Sequence, residues 1–184
     1  LERLAYAVIV VVVASLTAWV AAGILKLQPL DFSVQDLNTV LLFLLRLLAS
    51  FCGVFGFSIM FNSSIPIALS AALIGMTANT LRLELVDLFA CHPATAAFIG
   101  AMTAGVLASF LNRPLGYPRI AVTVPAVVIM VPGLYLYRAV YTLGEMALTD
   151  SVSWFASALM VIIMLPAGLV AARILTDRRF RHCT

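Results

Sequence analysis

Pro132, Gly133, Tyr137 and Arg138 have the types and spacing to bind a carboxylate inside a membrane. They sit in the apolar segment Ile120–Thr142, IAVTVPAVVIMVPGLYLYRAVYT. A proline has no N–H, so Pro125 and Pro132 are expected to leave the carbonyls of Ala121 and Val128 without helical partners. Such carbonyls are tolerated at membrane depth only where protein or a water-filled cavity satisfies them. Pro132 falls roughly 18 Å along a helix begun at Ile120, near the middle of a hydrocarbon layer about 30 Å thick. A break there exposes the N-terminus of a second half-helix at Gly133, whose partial positive charge suits an anionic substrate group. Arg138 follows about 1.4 turns later and can add a two-bond carboxylate contact. Tyr135, Tyr137 and Tyr141 can hydrogen-bond a polar ligand. The competing reading is a kinked structural helix whose Arg138 snorkels between interfacial tyrosines, and residue chemistry leaves the two evenly matched.

Other polar residues point more to structure than to chemistry. Arg46 lies nine residues past Leu37 in a second apolar run, where snorkelling to the outer surface is expected. Asn62 ends that run and either caps a helix or lines a cavity from the cytoplasmic side. Two ladders of small residues, Ala96-Gly100-Ala104-Ala108 and Ala97-Ala101-Gly105-Ser109, predict close helix packing. His92 reads as a solvated loop residue. Cys52, Cys91 and Cys183 lie far apart in an odd count, which speaks against a disulfide framework or a metal site. No cofactor is implied. No histidine, acid and nucleophile set occurs at membrane depth, so an embedded enzyme is not expected.

These residues must be positioned by spanning helices. Hydrophobic residues make up 64% of the chain and charged residues 10%, and the mean hydropathy is +1.12. Soluble domains carry about 25% charged residues, so lipid is the expected solvent. A net charge of +3 without a basic stripe gives no support to nucleic-acid binding. Runs of about 20 apolar residues predict an all-α polytopic protein with six transmembrane helices. These are Leu4–Leu25, Leu37–Phe61, about Pro66–Leu81, Ala94–Asn112, the Pro/Gly-interrupted Ile120–Thr142, and Val152–Ala172. Leu4–Leu25 is too long for a signal-peptide core. Leu81, Leu85, Leu88 and Phe89 fall on one face, either as a short interfacial helix or as an extension of the third span. In this scheme no Asp or Glu lies inside an apolar span, so a coupling acid is either at a span edge (Glu84, Asp87, Glu145) or absent from this chain.

Charge sets the expected orientation. One side carries Arg3, Arg113, Arg119, Arg173, Arg178, Arg179 and Arg181; the other carries Lys26, Arg82 and Arg138. Basic residues favour the cytoplasm, which predicts cytoplasmic termini. Asp31, Asp36, Glu84, Asp87, Glu145 and Asp150 fall on the opposite side.

Over about Leu42–Ala172 the chain resembles the C-terminal, five-helix portion of the threonine/serine exporter family. The resemblance rests on Phe55-Gly56-Phe57 leading to Phe61-Asn62 and Pro66, on Gly75, on Arg113 with Pro118, on Val124-Pro125, and above all on Val131-Pro132-Gly133 followed by Tyr137-Arg138. Ala126 stands where the pattern carries Gly. The resemblance implies ten helices in two groups of five, fused or as two subunits, related as an inverted repeat. Residues 1–26 then form the last helix of a preceding half, and 37–184 a five-helix transporter domain with a basic cytoplasmic tail. Beginning at Leu1, the chain is expected to be a fragment or a processed product. The family exports small amino acids such as threonine and serine, and a two-subunit branch is associated with dicarboxylate (succinate) export.

The expectation is therefore a secondary exporter of small carboxylate-bearing metabolites in a bacterial inner membrane. Arg138 and the Gly133 amide anchor the carboxylate, Pro132 and Gly133 make the discontinuity, and Asn62 and Tyr137 line the path. Its partners are the substrate, the lipid bilayer, a missing N-terminal half or partner subunit, and a second copy of the chain in a homo-oligomer. Two alternatives remain: a dicarboxylate exporter subunit, and a non-transporting membrane scaffold.

Overall fold

The computed structural model describes residues 2–25, 38–116 and 118–177. All regular structure among them is α-helical: α1 (Glu2–Leu25), α2 (Thr39–Met60), α3 (Ile65–Asp87), α4 (Pro93–Leu115), α5 (Arg119–Val128), α6 (Gly133–Gly144) and α7 (Leu148–Thr176). Five helical stretches among the described residues are long and apolar enough to cross a membrane: Thr39–Met60, Ile65–Asp87, Pro93–Leu111, Arg119–Gly144 and Leu148–Thr176. The chain is thus an all-helical, multi-pass membrane protein. Lipid-facing side chains are apolar and exposed, among them Leu41, Leu44 and Leu48 of α2 and Phe155, Leu159 and Ile163 of α7.

The third helix is longer than its apolar run. It continues unbroken to Asp87, so Leu81, Leu85 and their neighbours extend the span rather than form a separate interfacial helix. Arg82, Glu84 and Asp87 are consequently helical residues, not loop charges, and the expectation of a span free of acids is corrected. Lys26, Asp31, Asp36, Arg178, Arg179 and Arg181, which entered the charge count, lie outside the described residues, as do the side chains of Arg3 and Arg113.

The helices fall into two compact units. One holds α2 to α5 with α7 from Met160 onward; the other holds α1, α6 and α7 through Leu159. In the first, α3 is the central element, burying Ala68, Ala71, Ala72, Ile74, Gly75, Ala78, Asn79 and Thr80. Apolar side chains gain little by leaving lipid, so membrane helices associate through close van der Waals packing, which small residues permit. A Cβ on Gly75 would sit 3.2 Å from the Cα of Ala126, so α3 and α5 meet through their smallest residues. The ladders of α4 face protein, not lipid. Ala96, Ala97, Ala101, Ala104 and Ala108 are all at most 1% exposed. A Cβ on Gly100 would lie 3.2 Å from the carbonyl oxygen of Ala78, and one on Gly105 would lie 2.7 Å from the Cβ of Ala172.

Asn62 and Met146 end helices by the same device. Asn62 takes φ 57° and Met146 φ 62°. The N–H of Ser63 donates to the carbonyl of Ser58 at 3.1 Å, and that of Asn62 to Ile59 at 2.8 Å. Likewise Ala147 donates to Thr142 at 3.0 Å and Met146 to Leu143 at 3.1 Å. This paired pattern closes a helix with one left-handed residue, a conformation Asn adopts more readily than most side chains.

Candidate functional site

The chain leaves the helical path between Val128 and Gly133, and not at Pro125, through which α5 continues. Beyond Val128 the backbone tightens: the N–H of Met130 donates to Val127 at 2.9 Å and that of Val131 to Val128 at 3.1 Å. The Val128 carbonyl, expected to be orphaned by Pro132, therefore has a partner three residues ahead. The Met130 carbonyl is met by a side chain, accepting from Nη1 of Arg82 at 3.1 Å. Met130 is fully buried. An arginine of α3 thus satisfies backbone that the break would otherwise strand, as a low-dielectric interior requires.

Arg82 belongs to a polar stripe on α3. Asn79, one turn earlier, donates from Nδ2 to Oγ of Ser50 on α2 at 2.9 Å. Asn79 is 5% exposed and Thr80 2%. Asn79 Oδ1, Thr80 Oγ1 and, on α2, Ser58 Oγ are buried with no hydrogen-bond partner among the described residues. One turn beyond Thr80, Glu84 accepts from Nη1 of Arg46 at 2.9 Å, and Asp87 accepts from Nη2 of the same guanidinium. The Arg46 side chain is only 13% exposed, so it turns inward to two carboxylates and does not snorkel outward. The correction has a simple cause. Once α3 extends to Asp87, two acids lie beside α2, and ion pairing in lipid outweighs a reach to water.

Arg119 is held in the same unit. Its Nη2 donates to the Gly105 carbonyl at 2.8 Å and its Nη1 to Oγ1 of Thr176 at 3.2 Å, tying α5 to α4 and α7. A pocket of about 550 Å³ opens beside it, lined by Arg119, Thr123, Leu169, Arg173 and Asp177 among others.

The other unit carries Pro132, Gly133, Tyr137 and Arg138 on or beside the short helix α6. Pro132 is its N-cap and makes no side-chain capping bond. Gly133 is exposed, and a Cβ placed on it would meet nothing within 4 Å. The Arg138 guanidinium lies over the ring of Trp154 on α7, 4.9 Å from its centroid, a cation–π distance. Tyr135 packs on the same indole with centroids 5.8 Å apart. Tyr137 turns instead to Tyr141, 6.2 Å away. Oγ of Ser151 donates to the Ala139 carbonyl at 2.7 Å and fixes α7 against α6 here. Asn62 belongs to the α2–α5 unit, exposed at the end of α2.

Reading the sequence missed Trp154, Arg82 and Asn79. Trp154 carried a weak signal as one of two tryptophans in the chain. Asn79 and Arg82 carried a stronger one: three residues apart, they share a helical face, and that face is polar only if the third span continues past Leu81. Among the described residues no group of His, Cys, Asp and Glu could hold a metal ion.

The profile of a family described as "Threonine/Serine exporter, ThrE" matches residues 46–175. No curated protein and no solved structure matches the chain.

Proposed function

The chain belongs to the threonine/serine exporter family, and from that premise we propose that it is a secondary exporter of small carboxylate-bearing metabolites, threonine and serine first among them. The single observation that carries this reading is the helix interruption at Ile129–Pro132, with an exposed half-helix start at Gly133 and an arginine five residues on. Pro132 and Gly133 form the discontinuity, and the Gly133 amide end and Arg138 take the carboxylate. Trp154 orients the guanidinium. Asn62 and Tyr137 line the path. A dicarboxylate uses the same anchor, so succinate export is the second reading.

The protein lies in a bacterial inner membrane with both termini cytoplasmic, α1 being a sixth span. Residues 37–184 act as one five-helix group. A second group, on the same polypeptide or on a partner subunit, completes the inverted pair expected of secondary transporters. Export against a gradient needs a coupling ion, and the Arg46, Glu84 and Asp87 cluster supplies the acids nearest to membrane depth.

The test is export of labelled threonine, and separately of succinate, from loaded cells at matched expression. Arg138→Lys should lose about tenfold or more in rate despite keeping its charge, because an ammonium cannot make the planar two-bond contact. Arg138→Ala should lose more. Wild-type rates by the lysine variant for both substrates would leave Arg138 a structural residue, and no export by the wild-type protein would favour a scaffold.

A further inference from the structure

A second, open pocket that the carboxylate anchor does not use lies at the α1–α6 contact. Its volume is about 460 Å³, and it is lined by Trp19, Val20, Gly23, Ile24, Tyr141, Gly144 and Glu145. Small-molecule sites commonly run from about 300 to 1,000 Å³. Gly144 makes the approach possible, since a Cβ there would run into the Trp19 indole.

Three features of this pocket favour a positive charge. Glu145 contributes a carboxylate, exposed and in no ion pair with any described residue. It is the C-cap of α6, where the helix dipole is negative and the last turn holds no basic residue. Trp19 and Tyr141 add aromatic faces, whose quadrupole attracts cations. An acid at a helix C-terminus is locally unfavourable, and a bound cation relieves that repulsion.

Position along α6 suggests which cation. Arg138 and Glu145 are seven residues apart, so they lie on nearly the same face about 10 Å apart along the axis. One helix therefore presents a positive group and then a negative one. A zwitterionic α-amino acid can satisfy both in turn; a dicarboxylate meets its own sign at the second.

We propose that the Trp19–Tyr141–Glu145 pocket is a subsite for the ammonium group of the transported molecule, and that it selects amino acids over dicarboxylates. This rests on the exporter reading and assigns the substrate class within it.

The test uses the two tryptophans as reporters. In the full chain carrying Trp154→Phe, Trp19 is the remaining tryptophan and is excited selectively over tyrosine at long wavelength. Ethanolamine, which has the ammonium but no carboxylate, should shift Trp19 emission in detergent, as should L-threonine, while succinate should not. Glu145→Gln should weaken the ethanolamine response at least tenfold, and Glu145→Asp should restore part of it. In cells, Glu145→Gln should lower threonine export several-fold while leaving succinate unchanged or raised. An equal response to succinate, or an ethanolamine response indifferent to Glu145→Gln, would overturn the subsite. So would a shift produced by phosphatidylethanolamine nanodiscs, relative to phosphatidylglycerol ones, to which threonine adds nothing; the occupant would then be a lipid headgroup. If wild-type cells export threonine but Trp19 responds to no ammonium, the subsite falls and the exporter reading stands. If they export nothing while ethanolamine still binds through Glu145, the exporter reading falls and the ammonium site stands.

Discussion

The two units of this protein hold their arginines in different ways. In the α2–α5 unit Arg46 faces two carboxylates, Arg82 a main-chain carbonyl, and Arg119 a carbonyl and a hydroxyl. Each of these contacts ties a helix to another segment of the same unit. In the α6 unit Arg138 lies against the face of Trp154. An oxygen partner fixes an N–H donor in one direction, whereas an aromatic face attracts the plane of the guanidinium. The same residue type thus bonds to oxygen in one region and lies over a ring in the other.

Glycine has two uses here. Gly75, Gly100 and Gly105 in the first unit and Gly144 in the second lie where a Cβ would press on a neighbouring helix, whereas Gly133 has open space around it.

The largest expected effect comes from removing a fastener. Arg46→Ala strands two carboxylates against α2 and should cost on the order of 3–5 kcal/mol, read as a fall in folded yield and in the thermal midpoint of the purified protein. Adding Glu84→Gln and Asp87→Asn should recover much of that loss. An Arg46→Ala protein as stable as wild type would remove the distinction between fastening and oriented arginines.

A smaller effect separates the glycines. Gly105→Leu overfills the contact with Ala172 and should destabilise by about 1–3 kcal/mol, lowering assembly on size-exclusion chromatography. Gly133→Ala should leave the same elution profile unchanged and act, if at all, on transport. Equal losses of assembly in both would show that Gly133 is packed during folding.

The smallest effect tests the ring. Trp154→Leu should cost about 0.5–2 kcal/mol, the worth of a cation–π contact, and should lower transport more than it lowers the melting temperature. Loss of stability alone would make Trp154 a packing residue and Arg138 another fastener.

What could be read directly were properties that a segment owns by itself. Apolar length marks a span because the hydrocarbon layer has a fixed thickness. The small-residue ladders of α4 marked a packed face because side-chain volume is local to the residue. Pro132-Gly133 marked a break because a missing N–H is felt by the chain around it. Even so, α3 was cut short at Leu81, since a hydropathy run ends at the first arginine whether or not the helix does.

That arginine shows where sequence stops. Arg82 counts only towards orientation until Met130, 48 positions away, is seen to offer it a carbonyl. Arg46 reads as a snorkelling residue until Glu84 and Asp87, 38 and 41 positions away, arrive beside it. Trp154 is one more apolar residue until Arg138 lies over its ring. Composition and apolar length determined an all-helical chain with several membrane spans, six expected against five such stretches among the described residues, and residue volume marked the packed face of α4. Only the tertiary structure decided what each charge faces, because a charge in lipid takes its partner from whichever helix packs alongside, and sequence distance does not encode that neighbour.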